Sequence, residues 1–183
     1  MKSSAQVVII GGGSLGVSLL YHLSEEGWND VILLEKGELT SGSTWHAAGL
    51  CSNFIGNMTV AKIHNYSIRL YDEILPSQSG NPSAFHKCGS LRVGYSRIEE
   101  EWFNHLFSRS KNVPCEFNII SKDEAKDLHP FMNFDNARII VSTPNDGHVD
   151  PSSVVMTMSQ ICLLYTSDAA DEGLGVDLGG RRI

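Results

Sequence analysis

Three glycines near the start of the chain have the spacing that brings a backbone turn against a diphosphate. Gly11, Gly13 and Gly16 fill the pattern G-x-G-x-x-G. The first glycine permits a tight turn, the second lets the backbone approach a pyrophosphate, and the third lets a helix pack close to a strand. The N–H groups and positive dipole end at the start of that helix favour a phosphate. The spacing predicts a dinucleotide site, and a glycine-rich turn in an unrelated α/β domain is the alternative.

An acidic residue follows where the adenosine ribose of a dinucleotide would lie. Glu35 comes about 20 residues after the last glycine of the pattern, at the end of an apolar run. A carboxylate at this point accepts hydrogen bonds from ribose hydroxyls and would repel the extra phosphate of NADP. The motif therefore argues against NADP, but it does not separate NAD from FAD.

Residues 41–50 are the second segment with chemical character. The segment combines small hydroxyl residues, which can bond phosphate or ribitol oxygens, with alanines, glycines and the pair Trp45–His46. A single histidine is more often structural than reactive. The residues alone therefore leave the role of His46 open.

A strand–helix–strand unit is needed to position these segments. Residues 7–10 and 31–34 are short β-branched and apolar runs, typical of strands buried on both faces. Between them, leucines recur at helical spacing up to Gly27, which is predicted to end the helix. This order predicts a parallel β-α-β crossover. Residues 37–57 are predicted to form a loop with one helical turn.

The remainder of the chain alternates helices and strands. A helix is predicted over residues 58–75, ending before Pro76. Ser121 and Glu124 match a capping box that begins a short helix. Asp150 and Pro151 are typical of an N-cap and a first helical position. Strands are expected at residues 91–95, 117–120 and 138–142, and a further helix at residues 99–110.

Composition excludes several classes of protein. The chain has 183 residues, of which 42% are hydrophobic and 19% charged, with a net charge of −7. The acidic balance without a basic stripe argues against nucleic acid, and no apolar run reaches the roughly 20 residues of a membrane helix. The four cysteines lack zinc-ligand spacing and disulfide-scaffold density, so a reducing compartment fits best. His86 and Cys88 form an H-x-C pair without enough further ligands, so no metal is expected.

The segment Gly42-Ser-Thr-Trp-His-Ala-Ala-Gly-Leu50 resembles the flavin-attachment segment of the dimethylglycine dehydrogenase and sarcosine dehydrogenase family, which belongs to the glycine/D-amino-acid oxidase class of flavoproteins. The resemblance extends to residues 8–36, 62–71, 86–92 and 145–151. It covers nearly all of residues 6–160, and the Trp-His pair is its most specific part. The resemblance implies an α/β fold, namely a Rossmann-like FAD-binding domain of the glycine oxidase type, truncated before the substrate-binding sheet is complete.

Carried over position by position, the resemblance implies an FAD site. Ser14 and Leu15 would contact the pyrophosphate together with the glycine turn, and Glu35 and Lys36 would hold the adenosine end. His46 would be joined through an imidazole nitrogen to the 8α carbon of the flavin. The residues implied to line the isoalloxazine and ribitol are Gly42, Ser43, Thr44, Trp45, His46, Ala47, Ala48, Gly49 and Leu50. No catalytic residue is identified in this chain. The Asp-Gly-His-Val-Asp-Pro segment, with His148, is predicted to be a structural turn and helix cap.

The implied reaction is the FAD-dependent oxidative demethylation of an N-methyl amino acid. A hydride passes from the N-methyl carbon of a dimethylglycine- or sarcosine-type substrate to the covalently bound flavin. Related sarcosine enzymes carry Thr where Ser43 and Ala47 stand here, which favours the dimethylglycine type. Electron-transfer flavoprotein is the implied acceptor, and tetrahydrofolate would bind a C-terminal domain outside this chain. The alternative is a non-catalytic flavin-binding regulatory or scaffold protein of the same family, although one regulatory relative lacks the Trp-His pair.

The end of the chain is expected to be foreign to the protein. Residues 162–172 resemble the in-frame translation of a transposon mosaic end used in sequencing-library adapters, and residues 176–183 resemble the outer primer of the same adapter. Such segments are excluded from fold reasoning. We therefore expect residues 1–161 to be the N-terminal part of an oxidoreductase domain, inactive alone, and residues 162–183 to be a disordered tail. Because no presequence is evident, a bacterial cytoplasm is expected, with the mitochondrial matrix of eukaryotic relatives as the alternative.

Overall fold

The computed structural model describes residues 4–110, 112, 115–168, 176–178 and 181–182. Its chain divides into two compact units, the first made of residues 1–49, 71–84 and 149–183 and the second of residues 50–70 and 85–148. The elements are β1 (Val7–Ile10), α1 (Ser14–Glu25), β2 (Val31–Glu35), β3 (Leu50–Cys51), α2 (Met58–Arg69), α3 (Leu75–Ser79), β4 (Phe85–His86), β5 (Ser90–Gly94), α4 (Arg97–Ser110), β6 (Asn118–Ile119), α5 (Lys122–Leu128), β7 (Ile139–Thr143), β8 (Gly147–Val149), α6 (Pro151–Asp168), β9 (Val176–Leu178) and β10 (Arg181–Arg182).

The first unit is built on the predicted parallel crossover. Strands β1 and β2 pair in parallel, with Val7 opposite Val31. Helix α1 connects them and packs against α6. Gly27 has φ +80° and follows the end of α1, which confirms the predicted glycine at the helix end.

Among the described residues, only one face of the β1–β2 pair is covered. Ile9 and Leu33 are buried, whereas Val8 and Ile10 on the opposite face of β1 are 51% and 86% exposed. Successive side chains of a strand point to opposite faces, so the alternation marks a covered and an uncovered side. The prediction that residues 7–10 are buried on both faces is therefore wrong, although the run is apolar on both faces.

Helical structure continues past Pro76, where the sequence predicts that it ends. Helix α2 ends at Arg69, a π-helical turn occupies Leu70–Ile74, and α3 follows at once with Pro76 near its start. A proline is tolerated in the first turn of a helix because its missing N–H needs no partner there. The π-helical turn separates the two helices, and Gly80 ends the second one with φ +71°.

The second unit holds two three-stranded sheets. One has the order β5-β7-β6 with antiparallel pairing, and the other has the order β3-β8-β4. One apolar cluster of the unit gathers around Phe54, Phe103 and Val141, and another around Phe134 and Ile140. The strands at residues 91–95 and 138–142 and the Ser121 capping box are confirmed. Strands β3 and β4 have two residues each, too few for alternation to be visible in the sequence.

Helix α6 begins as predicted and runs further than predicted. Asp150 caps it, because its carboxylate accepts hydrogen bonds from the backbone N–H groups of Ser152 and Ser153. The helix extends to Asp168 and buries Ile161 and Cys162, and burial raises the pKa of the Cys162 thiol to about 11.

Part of the predicted disordered tail thus has regular structure. Besides the end of α6, strand β9 pairs in parallel with β2, and β10 pairs with β9. Residues 169–175, 179, 180 and 183 lie outside the described residues. The adapter origin of the tail stays a prediction. Among the described residues, every helix is too short or too polar to span a lipid bilayer.

Candidate functional site

The glycine turn after β1 has the geometry that its spacing predicts. Gly11 has φ +109°, a conformation that L side chains rarely adopt, and its N–H donates to the Leu34 carbonyl at 2.8 Å. A Cβ atom on Gly16 would lie 1.9 Å from the Gly11 carbonyl oxygen. One on Gly13 would lie 3.0 Å from Thr44 Oγ1. Gly11 is therefore required by its backbone conformation and Gly16 by the lack of space for a side chain, as the motif predicts.

The start of α1 presents amide groups without protein partners. The N–H groups of Leu15 and Gly16 donate to no acceptor among the residues that the structure describes. The Leu15 side chain is 87% exposed, and the first turn carries no acidic residue. Unpaired N–H groups at the positive end of a helix dipole are a site for an anion.

Glu35 lies beside the glycine turn and already has partners there. Its Oε2 accepts a hydrogen bond from the Gly12 N–H at 2.6 Å, and its Oε1 accepts one from the Gly37 N–H at 2.9 Å. These two bonds, the one from Gly12 first, lower the pKa of the Glu35 carboxyl below its usual value. Each carboxylate oxygen has a second lone pair, so the predicted ribose contact remains chemically open. Lys36, implied beside it, has an exposed side chain.

Gly12 is a site residue that the sequence analysis did not single out. It is buried, and a Cβ atom there would lie 2.4 Å from Leu39 Cδ2 and 3.1 Å from Glu35 Cβ. Its carbonyl accepts a hydrogen bond from the Thr40 N–H at 3.1 Å. The run of three consecutive glycines was the available signal for this position.

The predicted flavin segment reaches the glycine turn through one buried residue. Thr44 is buried, and its Oγ1 accepts a hydrogen bond from the Ser14 N–H at 3.0 Å. Thr44 begins a 3-10 turn that ends at His46. Trp45 and His46 therefore directly follow a residue that is hydrogen-bonded to the start of α1, next to the glycine turn.

His46 lies exposed on this 3-10 turn with one ring nitrogen occupied. Its Nδ1 lies 3.0 Å from the Gly42 carbonyl oxygen. A carbonyl only accepts, so in that bond Nδ1 donates and Nε2 of the neutral ring carries the lone pair. The Trp45 ring lies 3.9 Å from the imidazole between centroids, and its Nε1 donates to the Ser41 carbonyl at 3.2 Å.

The structure brings most of the predicted site into the first unit. Gly49, next to the end of the segment, has φ +70°, and its carbonyl accepts a hydrogen bond from the Val149 N–H at 2.9 Å. Ser43, Ala47 and Ala48 are exposed. Leu50 belongs to the second unit, where β3 pairs it with His148 of β8. Thr40, with φ +68°, also lies here, and no signal in the sequence points to it.

A buried carboxylate organises the second unit. Asp146 is 1% exposed. Its Oδ1 accepts hydrogen bonds from the Asn53 backbone N–H and Nδ2 at 2.8 and 3.0 Å. Its Oδ2 accepts from the hydroxyls of Ser52, Ser90 and Thr143 at 2.9, 2.7 and 2.6 Å. From the sequence, Asp146 is recognisable only as the first residue of the Asp-Gly-His-Val-Asp-Pro segment.

The histidine of that motif lies in strand β8 and not in the predicted turn. His148 is exposed on β8, and its ring lies 5.0 Å from that of His86 between centroids. Among the described residues, no group of three His, Cys, Asp or Glu side chains is placed to hold a metal ion.

Comparison with known proteins identifies the family. The profile of the family described as FAD dependent oxidoreductase matches residues 6–163. The chain is 42% identical over 158 residues to rat (Rattus norvegicus) mitochondrial dimethylglycine dehydrogenase, with 86% of this chain and 18% of that protein covered. It is 33% identical to human (Homo sapiens) mitochondrial sarcosine dehydrogenase, with 87% of this chain and 17% of that protein covered.

Two further similarities bear on the interpretation. The chain is 33% identical to the mitochondrial pyruvate dehydrogenase phosphatase regulatory subunit of mouse (Mus musculus), with 87% of this chain and 18% of that protein covered. Among solved structures, L-proline dehydrogenase from P. horikoshii is similar, with a TM-score of 0.81 and 22% identity over 90% of this chain and 43% of that one. These similarities confirm the expected α/β fold of the glycine oxidase type.

The residues present fit an FAD cofactor. The glycine turn admits close approach, two helix N–H groups lack acceptors among the described residues, and the carboxylate at the end of β2 retains lone pairs. The chain spans less than a fifth of the length of each of these three curated relatives.

Proposed function

This chain belongs to the FAD dependent oxidoreductase family, and from that premise we propose that it is part of an enzyme that oxidatively demethylates an N-methyl amino acid of the dimethylglycine or sarcosine type. The similarity to dimethylglycine and sarcosine dehydrogenases supports this substrate class. The higher identity to the former, together with Ser43 and Ala47, favours dimethylglycine. The observation that carries the proposal is the hydrogen bond between Thr44 and Ser14, which attaches the 3-10 turn with Trp45 and His46 to the glycine turn.

Covalent attachment of the flavin through His46 is the second part of the proposal. The imidazole is exposed, and its Nδ1 is engaged by the Gly42 carbonyl. The hydrogen bond thus fixes the ring and leaves the lone pair on Nε2, the nitrogen suited to bond carbon. A covalent link would prevent loss of the cofactor. It would also withdraw electron density and raise the reduction potential of the flavin.

The residues of this chain have binding and orienting roles in that chemistry. When bound, FAD supplies the acceptor for the hydride that leaves the N-methyl carbon. The N–H groups of Leu15 and Gly16 would bind the diphosphate, and Glu35 would accept hydrogen bonds from the ribose while bracing the glycine turn. Trp45 packs against the imidazole and limits its rotation.

The covalent bond is tested by acid precipitation of the full-length protein from the complete reading frame. We expect wild-type protein and a His105→Ala control, in which an exposed histidine of α4 is removed, to give yellow pellets. His46→Ala should give a colourless pellet with flavin in the supernatant. Colour retained by the His46→Ala pellet would contradict attachment at this residue.

The reaction is tested by turnover of dimethylglycine with a dye acceptor and by release of formaldehyde. The alternative is a regulatory or scaffold protein that binds flavin without turnover, and the similarity to the pyruvate dehydrogenase phosphatase regulatory subunit supports it. Stoichiometric flavin without reduction by dimethylglycine or sarcosine would favour this alternative. The 183-residue chain alone is expected to be inactive and to retain little flavin, and tight stoichiometric FAD binding by it would contradict that expectation.

The proposal also covers the electron acceptor, a second cofactor and the cellular compartment. Electron-transfer flavoprotein is the proposed electron acceptor, and tetrahydrofolate the proposed acceptor of the one-carbon unit in a further part of the protein. The names of the rat and human relatives place those proteins in mitochondria, which supports a matrix location, while a bacterial cytoplasm is the proposal from the sequence. The genes that flank the complete reading frame distinguish these two compartments.

A further inference from the structure

Strand β6 lies at an open edge of the sheet β5-β7-β6 in the second unit. On its inner side it pairs with β7, with Ile119 opposite Val141. The Ile120 N–H donates to the Ile140 carbonyl at 3.0 Å, so the backbone groups of Ile120 face β7. Because the N–H and C=O groups of successive residues in a strand point to opposite edges, those of Ile119 and Phe117 face away from β7.

These outward backbone groups have no partner in the part of the chain that the structure describes. Residues 115–120 contain neither proline nor lysine, the residues that commonly block pairing at an edge, and the Ile119 side chain is 46% exposed. The open edge ends at Ser121, whose N–H and carbonyl are bonded to Glu124 and Ala125 of α5. The edge can therefore accept a short further strand.

Opposite charges flank this edge at equal distances in sequence. Glu116 and Lys122 each lie three positions from Ile119, and both side chains are exposed. The Glu116 carboxylate accepts one hydrogen bond from Asn118 Nδ2 at 2.8 Å, and Lys122 Nζ donates to the Asp135 carbonyl at 2.6 Å, so each group has further bonding capacity. An antiparallel partner must place a cation near Glu116 and an acid near Lys122. The same segment of a second copy has this order of charges.

We propose that β6 is an interface at which two copies of this protein pair in antiparallel orientation. A two-fold axis through Asn118 places Phe117 of each copy opposite Ile119 of the other, and each such pair exchanges two backbone hydrogen bonds. Glu116 then lies diagonal to Lys122 of the other copy, within reach of long side chains. The two three-stranded sheets become one continuous sheet. This inference does not depend on the proposed reaction.

The pairing also covers apolar surface. Phe117 packs against the cluster around Phe54, Phe103 and Val141, and Ile119 lies on the same face of the sheet because it is opposite Val141. In the dimer, Ile119 of one copy extends this cluster beside Phe117 of the other. The open edge is short, so the buried area is smaller than the roughly 800 Å² per partner of a stable interface. We therefore expect a weak dimer whose population rises with protein concentration.

A disulfide across the axis tests the register in the full-length protein. Residues on the axis form a non-hydrogen-bonded pair with Cα atoms about 4.5 Å apart, which a disulfide can span. We expect Asn118→Cys, incubated with oxidised glutathione, to migrate as a dimer on a non-reducing gel and as a monomer after reduction. Ile98→Cys, at an exposed apolar position of α4, and the wild type with its exposed Cys88 are the controls. They should give at least about tenfold less dimer.

Reversal of the two charges distinguishes a second copy from any other occupant. Sedimentation velocity over a concentration series measures the Kd of the full-length dimer. Glu116→Lys and Lys122→Glu should each raise this Kd by about 3- to 10-fold. The double variant should return it close to the wild-type value, because the reversed charges again match between copies. Ile119→Pro, which removes the outward N–H, should raise the Kd by more than about tenfold.

Three results would overturn the assignment. The first is a full-length protein that stays monomeric over the whole series, as expected if a different strand of the longer chain covers the edge. The second is a dimer that neither single charge variant weakens, and the third is a double variant as weak as the single ones. The charge variants change only exposed side chains, so they remain informative even if Ile119→Pro fails to fold.

Discussion

The hydroxyl oxygen of Thr44 accepts a hydrogen bond from the backbone N–H of Ser14 at 3.0 Å, across 30 positions of sequence. Ser14 is the first residue of α1, and Thr44 begins the 3-10 turn that carries His46. The bond satisfies one of the N–H groups that a helix start leaves unpaired. It is therefore the contact that joins the two segments singled out from the sequence.

Replacing Thr44 with valine should weaken this connection without changing the volume of the side chain. Valine removes the acceptor and leaves the Ser14 N–H without a protein partner, which costs about 1–3 kcal/mol of unfolding free energy. Urea unfolding monitored by circular dichroism measures the change. Thr44→Ser keeps the oxygen and should lose less than half as much. Equal losses in the two variants would show that methyl packing is the main contribution of Thr44.

The local parts of the fold were predictable from sequence, because their signals lie within one turn or one strand. The β1-α1-β2 unit follows from apolar periodicity and from glycine spacing, and Gly16 is needed because a Cβ atom there would meet the Gly11 carbonyl oxygen. The Ser121 capping box and the Asp150 cap depend on neighbours three residues away. Each of these features was correctly placed.

The remaining features depend on contacts between distant residues. Ser52 and Asp146 are 94 positions apart, and no local pattern shows that an acid in a turn motif becomes a buried acceptor. The hydrogen bond by which Glu35 holds the glycine turn also could not be predicted locally, because it joins Glu35 to Gly12 across 23 positions. The prediction that the helix ends before Pro76 was wrong, because the π-helical turn before this residue has no signal in composition or period.

Stability should depend on pH through Glu35. Its pKa is lowered in the folded protein, chiefly by the hydrogen bond from the Gly12 N–H, while in the unfolded chain it is about 4.3. Folding therefore favours the ionised form. The resulting stabilisation is fully present above the unfolded pKa and is lost as the pH falls through the lower folded pKa.

Glu35→Gln tests this dependence, because glutamine keeps an acceptor oxygen but carries no charge. The difference in urea midpoint between wild-type and Glu35→Gln should be largest at pH 7 and should shrink below about pH 4. The control is Glu38→Gln, which changes a nearby exposed carboxyl and should give the same midpoint as wild-type throughout. A pH-independent difference for Glu35→Gln would remove the carboxylate from the explanation.

Replacing Asp146 with asparagine should destabilise the protein more than the same replacement of Asp150, the other aspartate of the motif. Asn at position 146 would present an amide N–H₂ to hydroxyl and amide donors in a site that is 1% exposed, and we expect a loss of about 2 kcal/mol or more. Asp150→Asn is the matched control, since asparagine caps a helix as well as aspartate does and should cost less than about 0.5 kcal/mol. Thermal unfolding of both variants measures the difference. Similar losses would show that Asp146 has no special structural role.

Because one face of the β1–β2 sheet is uncovered, a polar substitution on it should affect stability differently in the 183-residue chain and in the full-length protein. Ile10 is 86% exposed and Leu34 41% exposed, and contiguous exposed apolar side chains of this kind mark a surface that associates with something. The relatives are several times longer than this chain, so we predict that a further part of the full-length protein covers this face. Threonine is also β-branched, so Ile10→Thr removes apolar surface with little change in strand propensity.

In the 183-residue chain, Ile10→Thr should reduce self-association in analytical ultracentrifugation and change the unfolding free energy by less than about 0.5 kcal/mol. In the full-length protein, the same substitution should cost about 1–2 kcal/mol, because it would remove buried apolar area. Val7→Thr, at a half-buried position of the same strand, is the control and should have similar effects in both proteins. A full-length protein indifferent to Ile10→Thr would show that this face stays open to solvent.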